Sequence, residues 1–319
     1  MTSGNTVLVA GSANLDFVVR APHIPAPGET VLGSDFSTFP GGKGANQAVA
    51  CARAGGVRTR MLLALGNDAY ALPLEHSLRE AGVEAHIVRT GEPTGVAFIC
   101  VSDEAENAIT VAPGANSQLR PEHLPDLAGV THLLLQLETP LDPVLAWAQA
   151  ARAAGVRVVL NAAPAQALPQ TLLESVDVLI ANEGELAAVT GVEDDMAAAV
   201  ARLGRVDVIV TLGARGSCAH TQGGWVLQPA FEVDAVDTTG AGDTYCGAFV
   251  AALAAGDTFA EAMRRAAAAS ALACTRMGAQ ASIPARAEVE LMLAQGRELA
   301  RDELRRYCEM SRGSSSLIP

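Results

Sequence analysis

The chain has 319 residues, 50% hydrophobic and only 18% charged, which suits one large core with an appendage. No apolar run approaches the roughly 18 residues a membrane-crossing helix requires. The net charge of -13 argues against nucleic acid, whose binding rests on basic surfaces.

Strand and helix patterns alternate along the chain. Short β-branched runs at 6–11, 132–137, 157–162, 177–182 and 207–213 predict strands buried on both faces. Between them, helices are predicted at 44–54, 68–81, 141–154 and 194–203, with Gly55, Gly82, Gly155 and Gly204 as the residues just past their ends. The alternation is that of an α/β protein with a doubly wound, mostly parallel sheet flanked by helices. From residue 241 the pattern turns helical, over 241–255, 258–276 and 286–306, and the tail 311–319 is expected to be flexible.

Two stretches interrupt the alternation. Residues 15–20 pair with 29–36, and 95–101 pair with 106–112 around the acidic turn "SDEAE", all without a covering helix. They predict a small β-sheet lid at 15–36 and 94–112, with 1–14, 37–93 and 113–310 as the main α/β domain.

Several chemistries are disfavoured by what is missing. The chain has no G-x-x-x-x-G-K-[ST], no G-x-G-x-x-G after the first strand, no G-x-S-x-G and no H-E-x-x-H. Its six cysteines contain no C-x-x-C pair, which suits reduced thiols in a cytoplasmic protein, and no basic stretch precedes the first apolar run to suggest a secretory signal.

The strongest chemical stretch is "DAVDTTGAGDTYCGAFVAAL", residues 234–253. Gly240, Ala241 and Gly242 are small enough for backbone N–H groups to converge at the start of the following helix, where the helix dipole also favours an anion. Asp243 in the first turn would serve as a helix cap, and also as a base able to take a proton from a hydroxyl beside that anion hole.

"GGKGANQAVACARAGG" and "DTTGAGDTYCGAF" closely resemble the two diagnostic segments of the ribokinase-like carbohydrate kinases, the phosphofructokinase-B family. "GSANLD", "ENAITVAPGAN", "LLLQLETP", "ANEGE", "TLGARG" and "TRMGAQASIP" continue the resemblance in order across nearly the whole chain. It implies ATP-dependent phosphorylation of D-ribose at the 5-hydroxyl, with Asp243 as general base. Rival readings keep the chemistry but change the sugar to deoxyribose, a nucleoside, a ketose or a keto-sugar acid, or make the protein an inactive sugar-binding regulator.

The resemblance also implies residue roles. Asn14, Asp16, Gly42, Lys43, Asn46, Glu138 and Asp243 would hold the sugar, since amides and carboxylates pair well with hydroxyls. Asn182 and Glu185 would lie near the phosphates and Mg²⁺, and Thr211, Leu212, Gly213, Ala214, Arg215 and Gly216 beside ribose and adenine of ATP, with Gly242 and Asp243 completing the ATP site. Ala267 stands where many members carry an adenine-side asparagine, which puts strict ATP preference in question. Lys43, the chain's sole lysine, would compensate phosphate charge as a compact ammonium fitted among glycines.

Asp237 and Thr239, with Ala273, Arg276, Gly278 and Ser282, match the positions that share an activating K⁺. Apolar residues on the lid, among them Phe17, Val19, Phe98 and Ile99, point to a homodimer formed through it, as the family also implies.

Overall fold

The computed structural model describes residues 5–104 and 106–310, so the tail 311–319 lies outside the described residues. The chain begins β1 (Thr6–Ala10), β2 (Asn14–Ala21), β3 (Asp35–Gly41), α1 (Lys43–Arg53), β4 (Thr59–Leu65), α2 (Ala71–Glu80), β5 (Glu84–Arg89), β6 (Gly95–Ser102) and β7 (Asn107–Ala112). It continues β8 (Val130–Leu135), α3 (Leu141–Ala153), β9 (Arg157–Asn161), α4 (Gln170–Leu173), β10 (Val178–Asn182), α5 (Glu183–Thr190), α6 (Met196–Arg202) and β11 (Asp207–Thr211). It ends β12 (Gly216–Thr221), β13 (Gly224–Pro229), α7 (Ala241–Ala255), α8 (Phe259–Ala273), α9 (Arg286–Gln295) and α10 (Arg301–Met310).

Nine strands form one sheet in the order β13-β12-β11-β10-β9-β8-β1-β4-β5, parallel from β11 to β5, with β12 and β13 antiparallel at one edge. Along β1, Val7 and Val9 enter one core while Leu8 and Ala10 enter the other, the period-2 alternation of a strand covered on both faces. Helices α1, α2, α7, α8 and α9 cover the first face, and α3 to α6 with α10 cover the second. A smaller sheet, β3-β2-β6-β7, stands apart.

Three expectations need correction. The strand expected at 29–36 is β3 at Asp35–Gly41. Pairing with β2 starts only at Arg20 opposite Asp35, after a turn in which Ser34 N–H donates to Arg20 O at 2.9 Å. As an edge strand β3 tolerates Pro40.

The helix expected at 286–306 is two helices. Gly296 adopts an extended backbone, and the chain beyond it lies beside 230–232, with Glu232 N donating to Arg297 O at 2.8 Å and Leu299 N to Ala230 O at 2.9 Å. Finally, Gly82, Gly155 and Gly204 take the left-handed conformation expected after their helices, but after α1 that role falls to Gly56 (φ 67°) and not Gly55.

Candidate active site

The expected site residues gather where the parallel strands end. The chain leaves β1 towards β4 on one side and β8 towards β9 on the other, so strand order reverses between these neighbours, and a crevice opens at their C-terminal ends. Asn14 lies just beyond β1, with its backbone against Gly42 at the start of α1, and Glu138 just beyond β8, where it accepts from the Lys43 N–H.

The glycines around Lys43 have a packing cause. Gly42 has φ 89°, and a Cβ there would lie 2.7 Å from Ala13 Cα and Asn14 N; at Gly44 it would lie 2.6 Å from Ser12 N. The start of α1 is thus laid against the backbone of residues 11–14, an approach only glycine permits. Lys43 rides on that approach into an acidic setting. Burial favours its neutral amine, but the carboxylates of Asp243, Glu138 and Glu185 outweigh burial and raise its pKa.

Asp243 sits in the first turn of α7 and is 8% exposed. Its Oδ2 accepts from Asn46 Nδ2 at 2.8 Å and its Oδ1 from Gln47 Nε2 at 2.9 Å. Gly240, at φ 73°, caps the helix, and nothing beyond Gly242's own stretch of helix lies within 4 Å of where a Cβ on it would sit, so the space beside this first turn is open. In this first turn the Ala241 N–H donates back to Thr238 O at 3.2 Å, while the N–H groups of Gly242 and Asp243 have no carbonyl one turn earlier in the helix.

Glu138 Oε2 accepts from Ser12 Oγ at 2.6 Å and from the Lys43 backbone N–H at 3.1 Å. Asp16 is pushed up to about 7, by burial first and then by the nearby Glu138 and Asp243. Asn14 is buried, and its Oδ1 accepts from Asn116 Nδ2 at 2.8 Å, which leaves its amino group as the donor. Asn116 also exchanges two 3.1 Å hydrogen bonds with the Ala13 backbone.

Asn182 and Glu185 form a reciprocal cap on α5: Glu185 N donates to Asn182 Oδ1 and Asn182 N to Glu185 Oε2, each at 2.8 Å. Burial raises the Glu185 pKa, with Asn182 and Lys43 opposing and Asp243 adding to the rise, so this cap also belongs to the Lys43 neighbourhood.

Thr211 to Gly216 form the turn between β11 and β12, with Leu212 buried. Its two glycines differ. A Cβ on Gly216 would lie 2.6 Å from Ala230 N, a packing constraint, whereas the position on Gly213 is open. Arg215 pairs with Glu183 at 3.3 Å, and its guanidinium lies 3.9 Å from the centre of the Tyr307 ring, whose hydroxyl donates to Glu183. Ala267 is buried in the core and carries no polar group.

Asp237 draws the expected cation segment together: its Oδ1 accepts from Thr239 N at 2.9 Å and its Oδ2 from Gly278 N at 2.8 Å. Burial pushes its pKa up, but hydrogen bonds from the Thr239 hydroxyl and from the Gly278 and Thr239 N–H groups outweigh it and hold the carboxyl low. Ala273 O accepts from Arg276 N at 3.3 Å, and the buried Ser282 donates to Ala279 O at 3.0 Å. Among the described residues, no group of three or more His, Cys, Asp or Glu could hold a metal ion; the donors here are instead single side chains and carbonyls.

Gln47, Ser12, Asn116, Gln136, Asn161 and Tyr307 also belong to this neighbourhood; the first four stand in segments that carry the resemblance but were assigned no role, and Asn161 and Tyr307 lie outside those segments. The clue available for Gln47 was two adjacent amides, Asn46 and Gln47, inside an otherwise small and apolar helix.

Residues 5–286 match the model of the pfkB family of carbohydrate kinases. The chain belongs to this family. Ribokinase of Haemophilus influenzae is 41% identical over 296 residues, covering 89% of this chain and 96% of that protein. The crystal structure of ribokinase from Thermotoga maritima superposes with a TM-score of 0.85 at 38% identity, covering 91% of this chain and all of that one (100%). Arabidopsis thaliana ribokinase, solved with ribose and ATP, gives a TM-score of 0.81 at 34% identity, covering 92% and 99% of the two chains. The family match ends before α10.

Proposed function

We propose that this kinase transfers the γ-phosphoryl group of ATP to the 5-hydroxyl of D-ribose, giving D-ribose 5-phosphate. The observation that carries this reading is one buried carboxylate, Asp243, held by Asn46 and Gln47 at an open helix start beside the chain's sole lysine. Asp243 takes the hydroxyl proton as the oxygen attacks in line, and the amides from Gly240 to Asp243 with Lys43 receive the charge of the transferring group. Asn14, Asp16, Gly42, Asn46 and Glu138 hold the sugar, under the four-stranded sheet acting as a lid. Asn182, Glu185 and the 211–216 turn hold the nucleotide.

Mg²⁺ enters with ATP and compensates its phosphate charge. It is satisfied by one or two carboxylates plus phosphate oxygens and water, and Glu185, with one oxygen spent on the Asn182 N–H and the other available, fits that need. K⁺ suits the all-oxygen set of Asp237, Thr239, Ala273, Arg276, Gly278 and Ser282, where it would order the loop before α7. Two copies associate through their lids.

ADP release measured across pentoses, hexoses and nucleosides tests the substrate: D-ribose should give the highest kcat/KM, and a faster deoxyribose or ketose would replace it. Asp243→Asn should lower kcat by roughly 10²–10⁴ while ribose still binds. Retention of more than about a tenth of wild-type kcat removes the base assignment.

A further inference from the structure

Asp243 is the front of a longer chain of buried amides. Gln47 Nε2 donates to Asp243 Oδ1 at 2.9 Å and to Asn161 Oδ1 at 3.0 Å, while Gln47 Oε1 accepts from Gln136 Nε2 at 2.7 Å. Asn161, the last residue of β9, in turn donates to Ile180 O on β10 at 3.2 Å. Gln47, Gln136 and Asn161 are 0%, 1% and 7% exposed, so water does not compete for these groups. A Cβ on Gly11 would overlap the Gln136 amide, so the glycine that follows β1 leaves room for this chain.

The partners fix which way Gln47 points. Rotating its amide by half a turn would set Oε1 against the acceptor oxygens of Asp243 and of Asn161, whose own amide is fixed by Ile180 O, losing both hydrogen bonds at once. Gln47 is therefore held as a donor to Asp243. With Asn46 Nδ2 on the other carboxylate oxygen at 2.8 Å, the plane of the Asp243 carboxylate is fixed from two sides. A free carboxylate would rotate about its terminal bond, a broad torsion with weak preference.

We propose that Gln47 is a positioning residue for phosphoryl transfer: it sets the orientation of the Asp243 carboxylate from behind, and Gln136 and Asn161 set Gln47. This rests on Asp243 being the base. Gln47 itself lies behind the carboxylate and acts only through it.

The test is a double-mutant cycle. Gln47→Met keeps the side-chain volume and removes the donor. It should lower kcat roughly 10–100-fold, the cost of a misaimed catalytic group, while the ribose Kd by calorimetry and the KM for ATP stay within about threefold. In an Asp243→Asn background the same substitution should change the residual rate by less than about twofold, because no base remains to be aimed. A structural role would instead lower both rates by the same factor, and that result overturns the proposal, as does a Gln47→Met enzyme with more than about half of wild-type kcat. A dead Asp243→Asn beside an unaffected Gln47→Met refutes this proposal alone, whereas an active Asp243→Asn refutes the base assignment and this proposal together. Should Gln47→Met not fold, Gln136→Met releases Gln47 from one bond further back and should show the same pattern with a loss of roughly 3–10-fold.

Discussion

Asp16 carries a cost that its binding role explains. Burial, with Glu138 and Asp243 nearby, lifts its pKa to about 7, whereas in the unfolded chain it titrates at the ordinary value of 3.8. A raised acid contributes stability that is complete below the unfolded value and is lost as pH climbs through the folded one. The ligand-free protein should therefore lose stability between about pH 4 and pH 7. Asp16→Asn should raise the Tm at pH 8 by roughly 2–5 °C, by a shrinking margin as pH falls towards 5, and should abolish ribose binding. An equal Tm gain at both pH values would show that charge is not the cause. At this scale the sequence was legible where the resemblance assigns a residue a role: Asp243, Asn46 and Glu138 are brought into one cluster. Gln47, Gln136 and Asn116 stand in segments that carry the same resemblance, yet their roles were not legible, because a buried amide takes its role from partners on other elements. For Lys43, the sequence tied the flanking glycines to a compact cation, whereas their closest constraint is the backbone of residues 11–14.

Elements were legible where periodicity and punctuation agree, as in the parallel strands and in α7. They were missed where tertiary contacts overrode the local pattern. The register of β2 moved β3, and pairing along 230–232 split the last predicted helix at Gly296. That break frees α10 to reach the other face of the molecule, where Leu304 and Cys308 are buried and Tyr307 clasps Arg215 and Glu183. Glu183 and Arg215 come from the two turns assigned to the nucleotide, so α10 ties them together. Tyr307→Ala should raise the KM for ATP severalfold and leave that for ribose unchanged; equal changes in both would deny the tie. The loop before α7 offers a second test. Asp237 holds Thr239 and Gly278 together, and a cation added there would further order the amides of Gly240 to Asp243. In thoroughly desalted buffer, activity should rise with K⁺ and stay low in Na⁺ or Tris alone, mainly through kcat. Equal rates with and without K⁺, or an Asp237→Ala variant with an unchanged K⁺ response, would remove the cation from this loop.

For the whole molecule, the fold class was legible because fully apolar strands alternating with amphipathic helices build a mostly parallel sheet whose strands must be covered on both faces. The strand order was not, since it depends on which strands meet after long crossovers. The smaller sheet makes a demand that one chain does not meet. Phe36 is 65% exposed and Phe98 55%, and Val19 beside them is also exposed, while the exposed Ile109 and Val111, opposite Ile99 and Ala97, lie on the other face. Phe17 stacks between Phe36 and Phe98 with ring centres 6.0 and 5.5 Å away, so these side chains form a continuous aromatic surface and not scattered single exposures. The register places Phe17 and Phe98 directly opposite one another on the face away from Asp16. With β3 and β7 as open edges, such a sheet would aggregate unless covered, and a second copy related by a two-fold axis would cover the same surface on both partners. Light scattering at micromolar concentration should give about twice the 32.7 kDa chain mass. Phe98→Glu places a charge in the centre of that surface and should yield monomers, at a cost in ribose affinity if the partner steadies the lid. A wild-type monomer at that concentration, or a Phe98→Glu protein that remains dimeric, would place the contact elsewhere or nowhere.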